Sequence, residues 1–142
     1  MKKHEHVGVY ALIIKNDSVL LIKKARGPYT GQWDLPGGKL EFGEEPLDGL
    51  YREIQEETGL IAKDSQLVNV LSHTVTYKSK DGEEAEMYHL GAIYKVELNE
   101  TKRKLKTEPD NADSNGARWL KLSDINQASL SPFAKASIKN YL

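Results

Sequence analysis

Apolar and polar positions along this chain fall into blocks, each of which points to one kind of element. Val7 to Lys15 and Ser18 to Lys24 are β-branched and aliphatic runs separated by Asn16-Asp17, and they predict two strands paired antiparallel through a tight hairpin turn. Two glycines and a proline then break both periodicities across Arg26-Gly27-Pro28-Tyr29-Thr30-Gly31-Gln32, which reads as loop. Trp33-Asp34-Leu35 is a short strand stopped by Pro36-Gly37-Gly38. Pro46 suits a first helical turn, and Leu47, Leu50, Tyr51 and Ile54 follow at i, i+3, i+4 and i+7 as one apolar face. Gly59, in Thr58-Gly59-Leu60, stands where a helix often ends in a left-handed cap.

The second half is richer in extended segments. Leu67 to Leu71, Thr74 to Tyr77 and Met87 to Leu98 predict strands, with Ser79-Lys80-Asp81-Gly82 as a turn. Arg118 to Leu122 reads as a last short strand, and Ser123-Asp124 as the cap of a brief helical turn. Ser131-Pro132 opens a terminal helix whose apolar face would hold Phe133, Ala134, Ile138 and Tyr141 or Leu142.

Composition narrows the class. A chain of 142 residues is the size of one ordinary domain, so residues 1–142 are expected to form a single unit. With 20 basic and 21 acidic residues there is no global field to draw it onto nucleic acid or an anionic membrane, so an anionic ligand must be held locally. The absence of cysteine excludes disulfides, zinc-thiolate sites and thiol nucleophiles, and suits a reducing compartment. MKKHEH runs straight into a strand without a signal-peptide apolar region, and no run approaches membrane-spanning length; the expected location is the cytoplasm. Lys102 to Lys106 is a short basic run without interleaved aromatics, read as a solvated loop rather than an RNA contact. His4, His6, His73 and His89 have no metal-ligand spacing.

The concentrated chemistry lies between Gly37 and Leu60. On a helix Glu53 stands beside both Glu56 and Glu57, and three carboxylates sharing one area repel unless a cation covers them. At roughly 100° per residue their mean direction is about 120° from the apolar face, so the helix can pack by one side and offer acid on the other. A hard divalent metal suits such oxygen ligands. For the helix alone a solvated, salt-bridged surface is an adequate explanation, since Arg52 and Glu56 are spaced i, i+4. Gly37, Gly38, Glu44 and Gly59 at fixed spacing around it favour a metal site.

Gly38, five residues, Glu44, seven residues, Arg52-Glu53-Ile54, one residue, Glu56-Glu57, one residue, Gly59-Leu60: this order resembles the complete signature of the Nudix hydrolases. Trp33 to Gly38 is similar to the family's approach to that box, and Arg118-Trp119-Leu120 to its exit strand. The resemblance implies an α/β (α+β) fold, an α/β/α sandwich with a curved mixed sheet, the box helix and a C-terminal helix. It also implies hydrolysis of a phosphoanhydride bond in a small nucleotide, by a water activated with magnesium, or manganese as a substitute. Glu56 and Glu57 are then metal ligands, Glu53 a ligand or the base, and the Gly37 carbonyl a further ligand. Arg52 would pair with carboxylates including Glu44 and hold Glu53 in place; Glu44 is a ligand or a structural partner. Gly38 and the loop residues Arg26 and Tyr29, with Trp33, are candidates for substrate contact. The expected state is monomer or homodimer, with no membrane partner.

Two departures stand out. Many members of the family carry a glutamate three residues before the exit-strand tryptophan, and here that position is Gly116. Asp113, Asp110 or Glu108 could replace it as distal ligand, with Asp113 preferred. An asparagine near the start of the terminal helix, frequent in relatives that act on oxidised guanine nucleotides, is absent from Ser129-Leu130-Ser131-Pro132-Phe133.

Overall fold

The computed structural model describes residues 1–99, 103–108 and 114–141. The order is β1 (Lys2–Leu12), β2 (Ile14–Lys15), β3 (Ser18–Lys24), β4 (Trp33–Asp34), β5 (Gly37–Lys39), α1 (Pro46–Thr58), β6 (Ala62–Lys78), β7 (Glu84–Leu98), β8 (Ser114–Lys121), a 3-10 segment at Leu122–Gln127, and α2 (Pro132–Ile138) followed by a 3-10 turn. The expected mixed sheet has the order β5-β1-β7-β6, with β1 parallel to β7 and the other pairs antiparallel. A second, antiparallel set joins β2, β3 and β4, with β8 on β3.

The first hairpin is shorter than the apolar runs suggest. Asn16 and Asp17 both take positive φ, 52° and 63°, and make the tight turn, yet only Ile14↔Val19 and Lys15↔Ser18 pair across it. The rest of the first run, through Leu12, is β1, which pairs in parallel with β7 from Lys2↔Ala85 to Leu12↔Lys95. Local alternation identifies a strand but not its partner, and a parallel partner some eighty residues away is not encoded in a turn. The two extended segments expected after Ile61 are one strand, β6, because its ladder with β7 runs on through bulges from Ala62↔Leu98 to Lys78↔Glu84.

The core lies on both faces of β1, as strand alternation requires. Tyr10 and Leu12 pack with Leu21, Ile93 and α2's Phe133, Ala134 and Ile138, while Val9, Ala11 and Ile13 pack with Leu20, Ile22 and α1's Leu50 and Ile54. Of the apolar face predicted for α1, Leu50 and Ile54 are fully buried, but Leu47 in the first turn is 44% exposed. Gly59 ends that helix in the left-handed conformation, its N–H bonded to the Gln55 carbonyl. Ser131 caps α2, its hydroxyl accepting from the Ala134 N–H, whereas the 3-10 segment has no side-chain cap at its start. Tyr141 and Leu142 lie outside the described side chains. Among the described residues no helix is long and apolar enough to cross a membrane.

Candidate active site

The acidic helix meets the sheet at a glycine turn. In β5, Gly37 stands opposite Tyr10 and Gly38 opposite Val9. Gly37 has φ 147°, and a Cβ there would lie 2.1 Å from the Val9 carbonyl oxygen, so only glycine lets the two backbones approach this closely. Its N–H donates to Glu57 Oε1 at 2.7 Å. Glu57 is 3% exposed, and burial first, then the neighbouring charge of Glu53, pushes its carboxyl well above the usual range against the pull of that N–H. Glu53 lies over the same turn: a Cβ on Gly38 would be 3.0 Å from its carboxylate.

Arg52 organises the remaining acids. Its Nε and one terminal nitrogen form a fork on Glu44, at 2.8 and 3.0 Å, and its other nitrogen reaches Glu53 at 3.0 Å and Glu56 at 3.3 Å. The Glu44 carboxylate also accepts the Glu41 N–H at 3.0 Å. The Arg52 hydrogen bonds come first among the causes that lower the Glu44 carboxyl to about 2. Arg52 thus ties Glu44, in the loop before α1, to Glu53 on the helix.

Among the described residues no three acidic or histidine side chains stand together tightly enough to enclose an ion. Glu53 and Glu56 are held on Arg52, and Glu57 on the Gly37 amide. The donor chemistry fits a hard divalent cation nonetheless. Glu57 is a buried carboxylate beside a second one, with no ion pair to it among the described residues, and like charges in a low dielectric favour a cation between them.

Asp113 and Asp110 lie outside the described residues, and Glu108 is exposed. Gly116 explains the missing glutamate: at φ 108°, a Cβ there would lie 2.2 Å from the Thr107 carbonyl oxygen. The basic run is partly engaged. Lys106 donates its backbone N–H to the Thr58 carbonyl at 2.8 Å and its Nζ to the Glu56 carbonyl at 3.1 Å, at the negative end of α1.

A cavity of about 190 Å³ opens on the other face of β1, lined by His4, His6, Tyr10, Lys24, Arg26, Gly27, Pro28, Tyr29, Asp34, Tyr77, Met87 and His89. Arg26 and Tyr29 are therefore brought together there. Trp33 is placed elsewhere: it packs against the Tyr10–Leu12 core cluster, with Lys23 Nζ 5.6 Å from its ring centroid. Sequence reasoning missed Tyr10, Asp34 and His89. Asp34 is buried, accepting from the Leu35 N–H at 2.8 Å and the Ser131 hydroxyl at 2.5 Å, and burial raises its pKa. His89 bonds Tyr10 Oη through Nε2 at 2.6 Å and Tyr29 Oη through Nδ1 at 3.1 Å, and its ring lies 4.2 Å from that of Phe133. Burial, followed by the charges of His6, Lys24 and His73, lowers its pKa to about 3. The available signal was alternation: His4, His6, Gly8 and Tyr10 share one face of β1. The register that sets His6 opposite His89 was not legible. Tyr10 links the two places, since it lines the cavity and stands opposite Gly37 in the ladder.

The NUDIX domain model matches residues 3–141. The chain is 45% identical over 69 residues to an ADP-ribose pyrophosphatase of Methanocaldococcus jannaschii, covering 49% of this chain and 41% of that protein. It is 33% identical over 73 residues to an 8-oxo-dGTP diphosphatase of Proteus vulgaris, covering 51% and 65%. Both matches span less than two thirds of the relative's own length. A crystal structure of a MutT NUDIX hydrolase from Burkholderia pseudomallei superposes with a TM-score of 0.67 at 28% identity, over 96% of this chain and 97% of that one. With the family model matched along nearly the whole chain and the box folded as a loop, helix and loop around Gly37 and Arg52, the chain belongs to the Nudix hydrolase family.

Proposed function

We propose that this protein, acting as one domain, hydrolyses a phosphoanhydride bond in a small nucleotide, either a nucleoside triphosphate or a nucleoside diphosphate joined to a sugar, with magnesium or manganese. The observation that carries the reading is the buried Glu57 beside Glu53 at the Gly37 turn, with Arg52 holding Glu53, Glu56 and Glu44. Glu53, Glu56, Glu57 and the Gly37 carbonyl would hold the cation, with Asp113 as the distal ligand. The cation would supply positive charge against the phosphoanhydride and acidify the attacking water. Arg52 keeps Glu53 oriented, and Glu53, where it is not a ligand, takes the water's proton. The cavity beneath Arg26 and Tyr29 suits the rest of the nucleotide, since aromatic walls with a few convergent polar groups recognise planar heterocycles. Both named relatives carry nucleotide substrates in their names, a diphosphate sugar in one and a triphosphate in the other. Docking of Lys106 on α1 favours this over RNA as substrate, because that ammonium already serves a helix carbonyl. A cysteine-free chain accords with a cytoplasmic setting.

Purified protein incubated with a panel of nucleoside triphosphates and diphosphate sugars and magnesium is expected to release phosphate, pyrophosphate or nucleoside monophosphate from at least one. Glu56→Gln is expected to lose more than about 99% of that activity. Full activity in excess chelator would overturn the proposal.

A further inference from the structure

His89 is bonded at both ring nitrogens by tyrosine hydroxyls inside the cavity, Tyr10 on Nε2 and Tyr29 on Nδ1. A neutral imidazole has one N–H and one lone pair, so it cannot treat the two alike. When the proton is on Nε2, His89 donates to Tyr10 and accepts from Tyr29, which leaves Tyr29 only lone pairs for a ligand. When the proton is on Nδ1, His89 donates to Tyr29, whose own hydrogen is then free to point into the cavity. In the first state the Tyr10 hydrogen still has His6 Nε2 at 3.5 Å, and in the second it serves His89. Neither state leaves His89 with an unpaired nitrogen, so neither carries the penalty of an unsatisfied buried group.

We propose that Tyr10, His89 and Tyr29 form a reversible hydrogen-bond relay that lets this cavity bind a purine ring carrying either an amino or an oxo group at its six-position. Tyr29 is the reader. It lines the cavity from the loop between β3 and β4, whereas Tyr10 is packed under Phe133, with ring centroids 5.5 Å apart, and its hydroxyl lies over Gly8. An amino group donates, so it calls for Tyr29 as acceptor and His89 protonated on Nε2. An oxo group accepts, so it calls for Tyr29 as donor and His89 protonated on Nδ1. The ring proton shifts between nitrogens while both hydroxyls rotate, and no charge is created in a cavity where burial disfavours imidazolium. The relay makes Tyr29 and His89 specificity-determining residues and the enzyme tolerant of both purine classes.

This inference rests on the cavity being the nucleotide's. Its test uses adenosine and inosine monophosphate, two mononucleotides that differ at that position and in the hydrogen on the adjacent N1, and that need no turnover. Long-range nitrogen-proton correlation spectra of the whole chain report the tautomer of His89 directly. The expected result is protonation on Nε2 with adenosine monophosphate and on Nδ1 with inosine monophosphate. Tyr29→Phe, which removes a single hydroxyl, is expected to weaken both ligands by about tenfold and to abolish the difference in tautomer. The same tautomer with both ligands, the opposite assignment, or unchanged affinity in Tyr29→Phe would overturn the relay. Failure of the hydrolase reading is distinguishable, because it would appear as no turnover across the substrate panel whatever His89 does.

Discussion

The buried His89 makes a quantitative prediction about acid stability. In the folded chain its pKa is lowered from 6.5 to about 3, so between these values the unfolded state binds a proton that the folded state refuses. Stability then rises with pH through that window and is lost as pH falls below 6.5. At pH 5 the unfolded imidazole is almost fully protonated while the folded one is neutral. Linkage gives a loss of about 2 kcal/mol between pH 7 and pH 5 from this one group, and for a domain of this size roughly 8 °C in melting temperature. The cost is physical: a charged ring at 3% exposure would lose its water and face His6, Lys24 and His73. Urea unfolding at both pH values, on the wild type and on His89→Gln, isolates the contribution because the other titrating groups are common to both. The wild type should lose about 2 kcal/mol more than the variant on acidification. Equal losses would refute the reasoning, and would mean that the ring takes up its proton in the folded state.

Two substitutions test the framework around the site. Gly116→Glu, which restores the family's acidic residue, should destabilise the fold by roughly 2–4 kcal/mol in urea titrations, because its Cβ collides with the Thr107 carbonyl at a left-handed φ; a variant as stable as wild type would show that the backbone there has another place to go. Ser131→Ala removes both the cap on Ala134 and the hydrogen bond to buried Asp34, and should cost about 1–3 kcal/mol by the same measurement. A loss below about 0.5 kcal/mol would place the Asp34 proton and its partner differently.

The box was legible because its chemistry is local. Pro46, the i, i+3, i+4, i+7 face and Gly59 set the helix and its end, and Glu53, Glu56 and Glu57 follow on its other side from helical geometry alone. Even there, burial was not uniform: Leu47, an apolar position by pattern, stays exposed, while Glu57 is buried against Gly37. The reach of Arg52 back to Glu44 followed from the motif's resemblance rather than from periodicity, and the two side chains meet at 2.8 and 3.0 Å.

The cavity was not legible, for a reason that also explains the misjudged hairpin. Each strand's alternation states which residues share a face, but not which strand lies alongside or in what register. The sequence by itself determined an acidic helix, its proline start and glycine end, and a glycine turn. Only the tertiary structure decided that β1 lies parallel to β7. That pairing sets His6 opposite His89 and brings His4, His6 and His89, three histidines that looked unrelated, to the walls of one chamber with Tyr10, Tyr29 and Tyr77. Helical neighbours are fixed by bonds a few residues apart, whereas contacts across a parallel sheet are fixed by the packing of the whole chain, and so the acidic box is written locally and the cavity is not.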